Sequence, residues 1–131
     1  MTAFLLDTNA LLALVSTPDK IAAGVRDTLA DPANELIVSA ASAWEIAIKT
    51  RIERLDGMPL LSSWGETLAS MRATDLAIDS ADAALAGQLS WNQKDPFDRM
   101  IVAQATRRGF TIATSDAQIT KSALTAVIKV R

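Results

Sequence analysis

Ala3-Phe4-Leu5-Leu6-Asp7-Thr8-Asn9 opens the chain with four apolar residues, an aspartate and two hydrogen-bonding side chains. So short an unbroken apolar run reads as a strand buried on both faces. Asp7 falls where that strand ends, and Asn9 is placed to cap a helix through Val15. The pattern returns downstream. Glu35-Leu36-Ile37-Val38-Ser39 is a second strand, with Ser39 capping the helix behind it. Phe110-Thr111-Ile112-Ala113-Thr114 is another strand, followed by Ser115-Asp116.

The intervening segments carry helical signals. Thr17-Pro18 opens a helix to about Leu29, with proline tolerated in the first turn, and Asp31-Pro32 breaks it. Trp44, Ile48, Ile52 and Leu55 recur at helical spacing as one apolar stripe, on a helix ending near Gly57. This makes Trp44 a core residue. Ser63 and Glu66 have capping-box spacing for a helix to about Met71. Leu76-Ala77-Ile78 is a short strand, and Asp79-Ser80 caps a helix to about Leu89. Asp95-Pro96 opens a helix closed by Gly109, and Ala126–Val130 is a last edge strand. Strands alternating with helices predict an α/β fold: three layers, α/β/α, around a mostly parallel sheet of four to five strands. Residues 1–131 read as one domain, without repeats or linkers.

Composition narrows the chemistry. The chain has 131 residues, half of them hydrophobic, and no histidine, cysteine or tyrosine. Serine–histidine and cysteine–histidine devices are excluded, as are disulfides and imidazole or thiolate zinc sites. The lack of a leader-like start or a long apolar run points to a cytoplasmic protein with no membrane association. A formal net charge of −2 gives no global attraction to nucleic acid. Such attraction must be local or supplied by a bound cation.

In an open parallel sheet the carboxyl ends of the strands form the ligand crevice. Asp7, Glu45, Asp98 and Asp116 all sit at strand ends or near helix starts that fold towards that rim. Each also has an ordinary explanation: Asp7 and Asp116 as caps, Glu45 as the ion-pair partner of Lys49, Asp98 as an acid favoured by the helix dipole. Together they amount to mutually repelling carboxylates that need a cation. Without nitrogen or sulfur ligands, that cation is a hard one. Thr8, Asn9, Ser42, Asp95, Thr114 and Ser115 are the neighbouring groups able to support the acids. Lys49 and Arg51 lie along a helix leading away from the acids and read first as a solvated face, with phosphate contact as the alternative; Arg99 could also meet phosphate, although a carboxylate partner suits it better. No glycine-rich phosphate loop is present.

At these residues the chain resembles PIN-domain proteins of the bacterial VapC toxin type, over essentially its whole length. The resemblance is carried by Leu5-Leu6-Asp7-Thr8-Asn9-Ala10-Leu11-Leu12 and by Ser39-Ala40-Ala41-Ser42-Ala43-Trp44-Glu45-Ile46-Ala47-Ile48-Lys49. It continues in Asp95-Pro96-Phe97-Asp98-Arg99-Met100-Ile101-Val102-Ala103-Gln104-Ala105 and Thr114-Ser115-Asp116. Many relatives carry histidine where this chain has Asn9, or within the stretch that here reads Trp91-Asn92-Gln93-Lys94. The resemblance implies an endoribonuclease dependent on Mg2+ or Mn2+ that cuts a structured cellular RNA. It also implies a small cognate VapB-like antitoxin as partner, a homodimer, and no direct DNA binding by this chain. Asp7 and Asp98 would be the direct metal ligands, with Glu45 and Asp116 completing the catalytic cluster. The alternatives are a noncatalytic PIN-fold module that binds RNA or protein, and a phosphatase or phosphoacceptor domain. The latter is poor, because the second residue after Asp7 is Asn9 rather than an acid.

Overall fold

Five parallel strands lie side by side in the computed structural model, which describes residues 1–131. They are β1 (Ala3–Leu6), β2 (Glu35–Ser39), β3 (Ala73–Leu76), β4 (Thr111–Thr114) and β5 (Val127–Lys129), in the order β3-β2-β1-β4-β5. All four pairings are parallel. The central strand is β1, and its side chains alternate between two cores. Leu5 pairs in register with Ile37 and Ile112. These three point to one face, against Ile101, Val102 and Ala105 of α7 (Pro96–Arg108) and Ile119 of α8 (Ala117–Ser122).

Phe4, Leu6, Leu36, Val38 and Ala113 point to the other face. There they meet α1 (Thr8–Ser16), α2 (Ala23–Ala30), α4 (Met58–Ser62) and α5 (Trp64–Ser70). The opening apolar run is thus buried on both sides. Leu5 and Leu6 are fully inaccessible, each side chain contributing about 1.5–3 kcal/mol by leaving water. Of the remaining helices, α3 (Ala40–Arg51) contributes Ala41 to one core and Ile46 to the other, and α6 (Ser80–Gln88) packs against α7.

Several expectations are corrected. Asp7, not Asn9, caps α1: its carboxylate accepts from the Ala10 N–H at 2.8 Å. The segment after Thr17 forms a separate 3-10 turn, Pro18–Lys20, before α2 begins. The third strand lies at Ala73–Leu76 rather than Leu76–Ile78. As an edge strand with a single partner it needs no apolar run, and Ile78 packs on a core just beyond it. Ser63 forms no capping box; its hydroxyl donates to the Pro59 carbonyl at 2.9 Å.

The apolar stripe of α3 is split: Leu55 packs against one core, but Trp44 and Ile52 face outward. Ala41, Ser42, Glu45 and Ile46 are the buried side, whereas Trp44 is 53% and Ile52 45% exposed. At the far end of α3, Gly57 is required by contact. A Cβ there would lie 2.4 Å from Thr50 Oγ1 and 2.5 Å from Ile46 Cγ2.

Candidate active site

The chain runs from β1 outward to β2 and β3, then returns to β4 on the other side of β1. The carboxyl ends of β1 and β4 therefore flank the point where the winding reverses, the usual place for a ligand crevice in such sheets. Asp7 follows β1 immediately, and Ser115-Asp116 follows β4.

Asp7 is buried and tightly held. One oxygen accepts from the Ala10 N–H, and the other from the Thr114 hydroxyl in a very short contact. Thr114 in turn accepts from the Asp116 N–H at 2.9 Å. That threonine thus ties the two acidic loops together across the reversal. Burial pushes the Asp7 carboxyl above its ordinary range, opposed by the Thr114 and Ala10 hydrogen bonds and assisted by the charges of Asp116 and Glu45. Asp116 caps α8 by accepting from the Gln118 N–H at 2.7 Å.

Glu45 enters from α3, nearly buried, its Oε2 paired with Lys49 Nζ at 2.5 Å one turn on. One turn earlier, Ser42 shares a 3.0 Å hydrogen bond with Thr8, locking the starts of α1 and α3 together. Asp98 comes from the first turn of α7. Asp95 caps that helix, accepting from the N–H groups of Phe97 and Asp98. Burial, followed by the charges of Asp95, Asp116, Glu45 and Asp7, pushes the Asp98 carboxyl up to about 7. The four acids therefore share one electrostatic field, and no arginine neutralises it. No three of them stand close enough to form a ready-made ligand shell. An all-oxygen set of this kind suits a hard cation such as Mg2+, which takes one or two carboxylates and keeps several waters.

The PIN domain matches residues 4–123. The chain belongs to the PIN-domain family. The PIN fold seen here is similar to that of FitAB bound to an IR36 DNA fragment, with 23% identity, 96% of this chain and 94% of that one covered, and a TM-score of 0.68. It is also similar to VapBC2 from Rickettsia felis bound to a DNA fragment from its promoter, at 15% identity, 98% of both chains and a TM-score of 0.70. A third likeness is to VapBC-5, a member of the VapBC family of toxin–antitoxin systems from Mycobacterium tuberculosis. There the values are 18% identity, 100% of this chain, 99% of that one and a TM-score of 0.58. At these identities the likeness establishes the fold. No curated protein matches the chain by sequence.

Around this PIN crevice the other singled-out residues divide. Asn9 and Ser115 line an open pocket of about 650 Å3 beside α1, which none of the four acids touches. Arg51 is exposed on the outside of α3. Arg99 is corrected outright: its guanidinium donates to the carbonyls of Ala86, Leu89, Trp91 and Gln93, all at 2.8–2.9 Å, and is not free for phosphate. It holds the α6–α7 loop in shape.

That loop carries a residue to which sequence reasoning gave no role. Gln93 accepts from the Asp95 N–H at 3.1 Å and leans its amide towards Asp98 at 3.4 Å. Its place two residues ahead of the Asp95-Pro96 helix start was the available signal. The buried Asp82, held by Arg107, Arg108 and Gln104 between α6 and α7, was also missed; it lies outside the crevice. No helix is long and apolar enough to cross a membrane.

Proposed function

We propose that this PIN domain is a metal-dependent endoribonuclease, the toxin of a VapBC-type pair, hydrolysing phosphodiester bonds in a structured cellular RNA. One observation carries the reading: the Asp98 carboxyl is pushed up to about 7 by burial and by Asp95, Asp116, Glu45 and Asp7. A fold that gathers four acids with a single basic partner, Lys49 on Glu45, bears a standing cost, which a bound cation relieves.

Mg2+ or Mn2+ would be held by Asp7 and Asp98, with Glu45 and Asp116 acting through water. The ion would supply Lewis-acid activation of water and neutralisation of the phosphate. The chain's own residues do the positioning. Thr114 and the Ala10 N–H fix both oxygens of Asp7, so the carboxylate meets its ligand without losing rotamer freedom. Asp95 and Gln93 set the first turn of α7, and with it Asp98. Lys49 holds Glu45 at the edge of the crevice. A cation held by these carboxylates would offset their charge and let phosphate approach despite the net charge of −2.

A small VapB-like antitoxin as inhibitor and a homodimer as the active assembly complete the proposal. The fold shared with VapBC structures supports the antitoxin, and the homodimer rests on the family resemblance alone. The Lys49–Glu45 pair favours a second reading, a noncatalytic binding module with one acid already neutralised.

Cleavage of total cellular RNA by antitoxin-free protein separates the two. Discrete fragments that need Mg2+ or Mn2+ and vanish with chelator or Asp7→Asn are expected. Folded, metal-loaded protein that cuts nothing would leave only the binding module.

A further inference from the structure

Trp44 and Phe97 form an aromatic pair that neither core accounts for. Trp44 precedes Glu45 on α3, and Phe97 precedes Asp98 on α7. Their ring centroids are 4.9 Å apart, with planes 79° from parallel. A perpendicular contact covers at most one face of either ring, and Trp44 remains 53% exposed. A half-open indole forgoes much of the free energy that burial would supply. Arg51 lies on the same side of α3 two turns further on. An open aromatic face with a cation further along the same helix suits a single nucleic-acid strand, because a base stacks without regard to sequence while the cation meets a phosphate.

We propose that Trp44, propped edge-on by Phe97, is the stacking platform for an RNA base next to the phosphate held at the carboxylates. The proposal rests on the nuclease reading and gives it a substrate preference: a strand unstacked at the cleavage point, since a base paired inside a duplex cannot reach the indole. Ile52 on the same helix is 45% exposed, and its chemistry suits a protein partner instead. That is the rival outcome.

The test pairs kinetics with fluorine NMR of fluorotryptophan-labelled protein, the Trp44 signal being assigned by its loss in Trp44→Phe. Trp44→Leu keeps an apolar contact with Phe97 but lacks a flat face. It should lower kcat/KM about 5- to 100-fold, the range base–aromatic stacking commands, while Trp44→Phe stays within a few-fold of wild type. An abasic nucleotide at the stacked position should cost wild type as much and Trp44→Leu nothing further. In Asp7→Asn protein with Mg2+, a short single-stranded RNA should move the Trp44 signal, and the abasic RNA should not.

Losses that multiply, wild-type kinetics in Trp44→Leu, or an unmoved Trp44 signal would overturn the platform and give this face to a protein partner. If wild type cuts no RNA but the Trp44 signal responds to base-bearing RNA alone, the nuclease reading fails and the platform stands.

Discussion

Replacing Asp98 with asparagine should stabilise the metal-free protein. The carboxyl is raised from its ordinary 3.8 to about 7, first by burial and then by Asp95, Asp116, Glu45 and Asp7. At about 1.4 kcal/mol for each tenfold change in proton affinity, the full effect is near 4 kcal/mol. Because Asp98 is only partly buried, screening reduces this to about 1–2 kcal/mol. For 131 residues, at about 2.1 cal/mol/K each, that is a Tm higher by about 4–7 °C in Asp98→Asn.

The pH dependence has a definite sign. Between 3.8 and about 7 the folded wild type binds more protons than the unfolded chain. Its stability therefore falls as pH rises through that window, and the uncharged variant does not share the loss. The gap between the two proteins should be near zero at pH 4, grow towards pH 7 and stay level above it. Thermal melts in chelator across that range measure it. Added Mg2+ should raise the wild-type Tm at pH 8 and raise the variant's less, because the variant has lost a ligand. A variant that melts no higher than wild type at pH 8 without metal, or a gap as large at pH 4, would refute the reasoning.

Thr114→Val removes the hydroxyl that donates to Asp7 and accepts from the Asp116 N–H. It should weaken Mg2+ binding about 10- to 100-fold, as loss of an outer-shell partner does, while Thr114→Ser restores it; the Mg2+ dependence of Tm reports both. Arg99→Lys cannot reproduce the planar fork that serves four carbonyls. A loss of about 2 kcal/mol is expected, read by denaturant titration, and unchanged stability would show that the loop is held by other means. Gly57→Ala forces a Cβ against Thr50 and Ile46 and should cost about 1–3 kcal/mol, read by denaturant titration; unchanged stability would show that both side chains give way freely.

The sheet was legible because central strands in a parallel layer must be apolar on both faces, which leaves an unbroken run such as Phe4-Leu5-Leu6. Edge strands escape that demand. Ala73-Thr74-Asp75-Leu76 pairs with β2 alone and keeps Thr74 and Asp75 in water, so nothing in its composition marks it. Trp44 was misassigned for a related reason. Helical spacing identifies a stripe without saying which side of the helix is inside. In α3 the inner side holds Ser42 and Glu45 because it faces the crevice, and Trp44 and Ile52 are left outside. Arg99 defeated sequence reading differently: its partners are backbone carbonyls, which every residue carries.

The acids themselves show why strand ends alone do not define a site. Asp7, Asp95 and Asp116 each cap a helix, and so does Asp79, which closes a full capping box with Asp82. In sequence these are the same signal. What separates them is the partner that the topology brings. Asp79 and Asp82 face Arg107 and Arg108. Asp79 is held below the ordinary range by the Asp82 N–H and by Arg107. Burial works against Asp82, yet bonds from Arg108, Gln104 and Arg107 hold it lower still. That pair of acids is neutralised within the protein and serves as a clasp between α6 and α7. Asp7 and Asp98 are pushed the opposite way, because the winding reversal beside β1 gathers acids from four loops and helices and no arginine. Charge left unbalanced inside a fold must be balanced from outside it, which Asp7 and Asp98 require and the arginine-held Asp79 and Asp82 do not.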